Sequence, residues 1–469
     1  MGKQKNLLYI FADQWRAHAV GAAGEDPVAT PNMDRFAQES MSCTNAISTY
    51  PLCSPHRASL MTGKYPTSCG MWTNCKIGLD EVVMLKPQEI TISDVLHDCG
   101  YATAYIGKWH LDGSEKNFYK DPKSGAVNWD AFTPQGERRH HFDYWVSYGA
   151  MDVHMNPHYW HDTDEKIKPG KWSVEYETDL ALDYLKNRDE EKTFCMFLSW
   201  NPPHPPYDQV PEKYWNAYKG KEIPFRENVP EEWRTNQDYL TKREEYFAAI
   251  AGLDENFGRI MEYLKESGLD QDTLVVLSAD HGDCMGSHGL YGKNIWYEES
   301  IRIPLYFRGP GIKPGSTDVL FASPDHMPTL LELLGAPVPE TVEGSCRGSY
   351  ITGEASGQKE PDHAFLCMFP GMPELVNPYR KLGMNPKSFG WRGIRTKAET
   401  YVIDRGTTPG AEAVRYLYHN DQDPYQMHPE ILTPDSETAK KYDKLLMEYF
   451  EMLNDPFVMT DSCAELVRV

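Results

Sequence analysis

The chain has no Asn-x-Ser/Thr triplet and no cysteine pair at metal-ligand spacing. Nor does any apolar run approach the ~20 residues that a membrane span needs. These absences remove N-glycosylation, a zinc-finger framework and a transmembrane helix in turn. Basic residues are scarce too: 47 Lys and Arg stand against 69 Asp and Glu, a net charge of -22. Such a chain offers no basic face to nucleic acid, and it repels a polyanion unless positive groups are concentrated in a pocket. Cys43, Cys53, Cys69, Cys75, Cys99, Cys195, Cys284, Cys346, Cys367 and Cys463 are scattered. At this length they read as reduced core thiols rather than disulfide staples. The start, Met1-Gly-Lys-Gln-Lys, leads directly into an apolar strand rather than a leader segment. The expectation is a soluble, cytoplasmic protein without membrane partners, or a periplasmic or secreted one had a leader been removed.

What is present is an alternation. Short apolar runs bounded by turn residues occur at Leu7 to Ala12, Thr103 to Ile106, Thr193 to Trp200, Thr273 to Ser278 and Ile303 to Phe307. Helical periodicity fills the spaces at Asn32 to Ser40, Ile90 to Cys99, Tyr176 to Asn187, Tyr239 to Glu266 and Met327 to Leu334. Strands alternating with helices predict an α/β fold, a large and mostly parallel sheet sandwiched by helices. After Gly335 the pattern turns to Pro- and Gly-rich loops, short strands at Gly393 to Arg395 and Tyr401 to Asp404, and a helix at Thr438 to Leu453. This predicts a catalytic domain over 1–335 and a smaller α+β subdomain over 336–469.

The most informative stretch is Cys53-Ser54-Pro55-His56-Arg57-Ala58-Ser59-Leu60-Met61-Thr62-Gly63-Lys64. Pro55 suits a first helical turn and Ala58 to Met61 favour helix, so Cys53 is expected just before a helix N-terminus. Partial positive charge and free N–H groups at that end suit an anionic ester. Arg57, one turn on, is expected to present its planar fork to a sulfate or phosphate oxygen. Asp13 and Gln14 close the first strand, and Asp280 and His281 close the Leu-Val-Val-Leu strand. Ligands collect at such carboxyl ends. Two carboxylates, an amide oxygen and an imidazole, with an atom of residue 53, make a hard-cation site favouring Ca2+, with Mg2+ or Mn2+ possible. Further along stand Gly107-Lys108-Trp109-His110, Asn201-Pro202-Pro203-His204-Pro205-Pro206, and a glycine-rich loop from Gly282 to Lys293.

Cys-x-Pro-x-Arg with Leu-x-Thr-Gly and Lys resembles the type I sulfatases, whose fold is that of the alkaline phosphatase superfamily. The resemblance is strong from Asn6 to about Gly309 and looser beyond, through Asp423-Pro424-Tyr425. It implies that a maturation enzyme oxidises Cys53 to formylglycine, whose hydrate attacks sulfur through one hydroxyl. It also implies that Asp13, Gln14, Asp280 and His281 hold the metal with residue 53, and that Lys108 and Lys293 hold sulfate oxygens. His110 would be the base that lets the aldehyde reform, and His204 the acid for the departing alcohol. Many sulfatases have Asp where this chain has Gln14 and Asn where it has His281. The Gln and His pair occurs in phosphonate monoester and choline-sulfate hydrolases of the superfamily, so a phosphonate monoester or phosphodiester hydrolase is the alternative. A glycan-binding protein with unoxidised Cys53 is a third reading. Asp112 to about Gly170 is an insert rich in aromatic and imidazole groups, similar to that of carbohydrate sulfatases in Arg138-Arg139-His140-x-Phe142-Asp143-Tyr144-Trp145. Arg138, Arg139, His140, His154 and Trp160 are therefore expected to line the pocket for a sulfated galactose, N-acetylgalactosamine or glucosamine unit.

Overall fold

The computed structural model describes residues 4–354, 359–408, 410–457 and 459. Its main sheet has eight strands: β1 (Asn6–Ala12), β2 (Met41–Ile47), β3 (Ala102–Lys108), β4 (Tyr144–Tyr148), β5 (Phe194–Trp200), β6 (Thr273–Ala279), β7 (Leu305–Arg308) and β8 (Gly315–Ala322). The order across the sheet is β4-β3-β5-β1-β6-β7-β2-β8. Only β7 runs against its neighbours, β6 and β2. Every residue of β5 and β6 is buried, which a strand sustains only with cover on both faces. The cover is α1 (Pro31–Gln38), α2 (Cys53–Thr62), α3 (Ile92–Asp98), α4 (Ser173–Asn187), α5 (Gln237–Glu266) and α6 (His326–Leu334). These form two packed groups, α1 and α4 against α5, and α3 and α6 against α2. Local chemistry sets their starts: Thr91 and Asp94 form a reciprocal capping box for α3, and the Asn236 side chain accepts from Tyr239 N at the head of α5.

A second, antiparallel sheet follows in the order β13-β12-β11-β10-β9. It comprises β9 (Ala364–Met368), β10 (Trp391–Arg395), β11 (Glu399–Asp404), β12 (Val414–His419) and β13 (Glu430–Leu432), with α7 (Glu437–Leu453) beside β10. Phe365, Ile394, Tyr401 and Tyr442 belong to the same hydrophobic cluster as Leu7, Phe197 and Val276. One continuous core thus runs beneath both sheets.

Three strands of the main sheet escape the sequence pattern. β2 reads Met-Ser-Cys-Thr-Asn-Ala-Ile, with too few apolar residues to mark it, and β8 exposes most of its first half at the sheet edge. β4 lies within the segment read as an insert; Tyr144 and Trp145, expected in the substrate-binding segment, are strand residues paired to β3. The nine described cysteines are all free, seven of them buried; Cys463 lies outside the described residues. Among the described residues no helix is long and apolar enough to cross a membrane.

Candidate active site

Four adjacent strands, β3, β5, β1 and β6, end side by side, and the residues at their carboxyl ends converge. Lys108 closes β3 and His110 follows it. Asn201 and His204 follow β5, Asp13 and Gln14 follow β1, and Asp280 and His281 follow β6. Glycine permits two of the close approaches. Gly107 has φ +99, and a Cβ there would stand 2.1 Å from the Ser199 carbonyl oxygen; a Cβ on Gly282 would stand 2.0 Å from that of Glu299. Over this edge sits α2, buried at all ten residues, with Cys53 as its first residue and Leu52 as an N-cap without a side-chain bond. The Ser54 N–H donates to Asn74 Oδ1 at 2.9 Å.

Cys53 Sγ lies 3.1 Å from Lys293 Nζ, 3.4 Å from His281 Nε2 and 3.6 Å from Asp13 Oδ1. Ligand atoms of Asp13, Cys53, Asp280 and His281 all fall within 4.8 Å of one another. The two carboxylates are arranged alike. Arg57 donates through Nη2 to Asp13 Oδ2 at 3.1 Å and through Nε to Asp280 Oδ2 at 3.0 Å. Their Oδ1 atoms stand 3.6 and 3.5 Å from His281 Nε2. Gln14 turns Oε1 toward Lys293 Nζ at 2.7 Å. Burial and the neighbouring Asp13 charge push the Asp280 carboxyl up, a repulsion that a cation between them would relieve. A donor set of two carboxylates, one amide oxygen and one imidazole fits a hard cation.

Positive charge gathers here although the chain is acidic. Lys108 Nζ stands 2.7 Å from Asp13 Oδ2 and 3.0 Å from Asn201 Oδ1. Burial raises the carboxyl of Asp13, but Lys108, Lys293, His204 and Arg57 outweigh it and hold it well below the usual range. Burial and Asp13 likewise push the Cys53 thiol up, and Lys293, Lys108 and His281 more than reverse them. Lys76 is a buried ammonium that among the described residues has no carboxylate within ion-pair distance; it stands 4.9 Å over the Trp129 ring, and burial brings it down to about 8.

The cleft at Cys53 has a volume of about 450 Å³ and is lined by Asn74, Lys108, His110, Trp129, Met151, Asp152 and His204 among others. His110 Nε2 bonds the Cys75 carbonyl at 3.2 Å, and among the described residues its buried Nδ1 has no hydrogen-bond partner. Burial holds this imidazole below its ordinary pKa, the Cys53 side chain opposing the shift. His204 Nδ1 bonds the Pro205 carbonyl at 2.7 Å and lies 3.4 Å from Asp152 Oδ1.

Several expectations need correction. Arg57 does not offer its fork to the cleft. It is fully buried, and besides Asp13 and Asp280 its Nη1 donates to Lys108 O and Ser199 Oγ, both at 2.7 Å. Its part is to aim two carboxylates. Arg138, Arg139, His140, His154 and Trp160 do not line the cleft either. Arg138 pairs with Asp112 and lies over Phe118. Arg139 is spent on the carbonyls of Thr133 and His161 and on Asp162. His140 is buried with Asp94 3.5 Å away, and Trp160 packs with Val146 and Tyr148. His154 is buried behind the loop after β5, where Nε2 bonds the His204 carbonyl at 2.8 Å. A loop-rich insert must bury its own aromatic and guanidinium groups, and these supply that small core. Asn74, Trp129, Asp152, Asn201 and Asp283 are the residues missed. Asn201 and Asp283 stand inside recognised motifs, which was the available signal; Asn74, Trp129 and Asp152 stand in loops that carry none.

Known proteins match this chain over nearly its whole length. The sulfatase family model fits residues 5–336. An endo-4-O-sulfatase of Bacteroides thetaiotaomicron is 35% identical, covering 96% of this chain and 93% of that protein. A ulvan-active sulfatase of Formosa agariphila is 33% identical, covering 97% and 83%. A solved Bacteroides thetaiotaomicron structure, described in connection with the metabolism of multiple glycosaminoglycans, superposes with a TM-score of 0.86 at 33% identity over 97% of both chains. With the Cys53 motif at the carboxyl edge of the sheet, these likenesses lead to one statement: the chain belongs to the sulfatase family, the sulfuric ester hydrolases.

Proposed function

We propose that the chain removes a sulfate ester from a carbohydrate through a formylglycine made from Cys53. The observation that carries this reading is the convergence of Lys293, His281 and Asp13 on Cys53 Sγ, at the floor of a cleft that also holds Lys108, His110 and His204. Sγ marks the place of the oxygen that the matured residue would carry, and the hydrate of that residue supplies the attacking hydroxyl. A cation held by Asp13, Gln14, Asp280 and His281 would supply positive charge against the sulfate oxygens, and the oxygen-rich donor set favours Ca2+ over Mg2+ or Mn2+.

The chain's own groups do the rest. Lys108 and Lys293 hold the transferring group's oxygens and carry its developing charge. Asn201 fixes the Lys108 ammonium from one side and Asp13 from the other. With Nε2 on the Cys75 carbonyl, His110 keeps the Nδ1 lone pair free to take a proton from the side chain at 53. His204, its Nδ1 bound to the Pro205 carbonyl with Asp152 close by, leaves Nε2 to protonate the departing sugar oxygen. A formylglycine-generating enzyme is the partner this requires.

The relatives whose names specify a 4-O-sulfate, ulvan and N-acetylglucosamine 6-O-sulfate support a sulfated sugar as substrate. Gln14 and His281 favour the phosphonate monoester alternative, but proteins of that kind are more distant. Rates on a panel of sulfated galactose, N-acetylgalactosamine and glucosamine, beside an aryl sulfate and an aryl phosphonate monoester, decide between them. Sugar desulfation is the expected result. Preference for the phosphonate, with no sugar sulfate consumed, would replace this reading with the alternative.

A further inference from the structure

A second cavity, of about 570 Å³, adjoins the Cys53 cleft through the loop after β5. His204 lines the cleft, and the next two residues, Pro205 and Pro206, line this cavity. Gln14 borders it as well, and Gln14 touches Lys293, which touches Cys53. A substrate extended beyond the sulfated unit therefore has a space to enter beside the reacting group.

The walls carry three carboxylates, Asp208, Asp238 and Glu245, one ammonium, Lys242, and the ring of Tyr291. Asp238 is paired with Lys242 Nζ at 2.6 Å. Glu245 differs: the residue as a whole is only 8% exposed, yet its carboxyl oxygens reach solvent, and among the described residues that carboxyl makes no hydrogen bond or ion pair. Its hydrogen-bonding capacity is therefore open to a ligand in the cavity rather than used by the protein. Burial first, then the charges of Asp208 and Glu244, push it up to about 7, so near neutral pH it both donates and accepts. Tyr291 is 37% exposed and borders the cavity with a ring that also packs against Trp233 and carries the Lys242 ammonium 5.1 Å from its centroid. The carboxylates do not make a cation site, because the Asp13, Cys53, Asp280 and His281 group is the only set of three or more such side chains among the described residues close enough to share an ion.

We infer that this cavity is a second sugar subsite, taking an uncharged, hydroxyl-bearing sugar attached to the sulfated one. Glu245 and Asp208 hydrogen-bond its hydroxyls and Tyr291 packs against its face. The inference rests on the carbohydrate-sulfatase reading.

The test uses the matured full-length enzyme and the sulfated galactose, N-acetylgalactosamine and glucosamine monosaccharides, each alone and extended by two neutral galactose units. For wild type, extension should raise kcat/KM about tenfold or more, the worth of one hydrogen bond to a charged group. Glu245→Gln and, independently, Tyr291→Ala should shrink the ratio of extended to unextended rate, so that a fold defect in one variant does not decide the matter. No gain on extension in wild type, or a gain that both variants keep, overturns the subsite while sugar desulfation leaves the parent reading intact. If only 4-nitrophenyl sulfate is hydrolysed, the carbohydrate reading falls and the subsite falls with it.

Discussion

Gln14 Nε2 donates to Asp283 Oδ2 across 2.6 Å, and this bond decides which end of the Gln14 amide faces Cys53. Asp283 is itself pinned by the N–H groups of Met285 and Gly292, each 2.8 Å from Oδ1, and by the Tyr207 hydroxyl, 2.6 Å from Oδ2. Gln14 Oε1 is thereby presented to Lys293. Asp283→Asn removes the charge that favours this orientation and should weaken Ca2+ binding about 10- to 100-fold, the range for an outer partner of a metal ligand. Titration calorimetry with Ca2+ measures it; unchanged affinity would show that the amide keeps its orientation without Asp283.

Exhaustive chelation should abolish hydrolysis and Ca2+ should restore it, since one imidazole among oxygen donors is too little to select zinc. Full activity in a chelated sample with no bound ion would remove the cation from the account. Restoration by Mn2+ alone would move weight to the phosphonate hydrolases.

The parts legible in the sequence were those with one strong physical requirement. Leu7 to Ala12, Thr193 to Trp200 and Thr273 to Ser278 are mostly apolar because both faces of the sheet are covered, and the residues after them fall at its carboxyl edge by the same logic. Half-exposed β8 and polar β2 carry no such signature. The site motifs named their residues but not their partners. Arg57 was expected to face the ligand because it stands one turn from Cys53; the two carboxylates that consume it come from strands more than 40 and 220 residues away in the chain. In the insert, composition does not report exposure: Arg139 and Trp160 are the chemistry of a binding surface, placed by a short loop-rich segment into its own interior.

His204→Ala should slow an alkyl or sugar sulfate by roughly 10²- to 10⁴-fold, the usual cost of losing a general acid, and an activated aryl sulfate much less. A nitrophenolate departs almost unaided, whereas a sugar alkoxide needs the proton. Equal losses on both would mean that His204 binds sulfate or holds its loop.

Glu245 gives a pH dependence of stability whose sign is fixed by its direction of shift. Its carboxyl is raised from an ordinary 4.5 to about 7, so the folded state holds the proton longer than the unfolded one. Stability from this group is then complete below pH ~4.5 and lost as pH rises through ~7. Glu245→Gln, which cannot ionise, should therefore be more stable than wild type at pH 8, with the difference shrinking toward pH 5. Urea unfolding at the two pH values checks this; a difference that is the same at both would show that the carboxyl is not buried in a repulsive setting.

The central claim is that residue 53, as an aldehyde, is the group that performs hydrolysis. The direct measurement is the mass of the peptide spanning residue 53 in preparations made with and without a formylglycine-generating enzyme, set against sulfate released per mole of protein. Activity should rise in proportion to the aldehyde fraction, and Cys53→Ala should fold with an unchanged Tm yet retain less than about a hundredth of the rate. Active protein with no aldehyde at residue 53, or a Cys53→Ala variant that still turns over, would contradict the account.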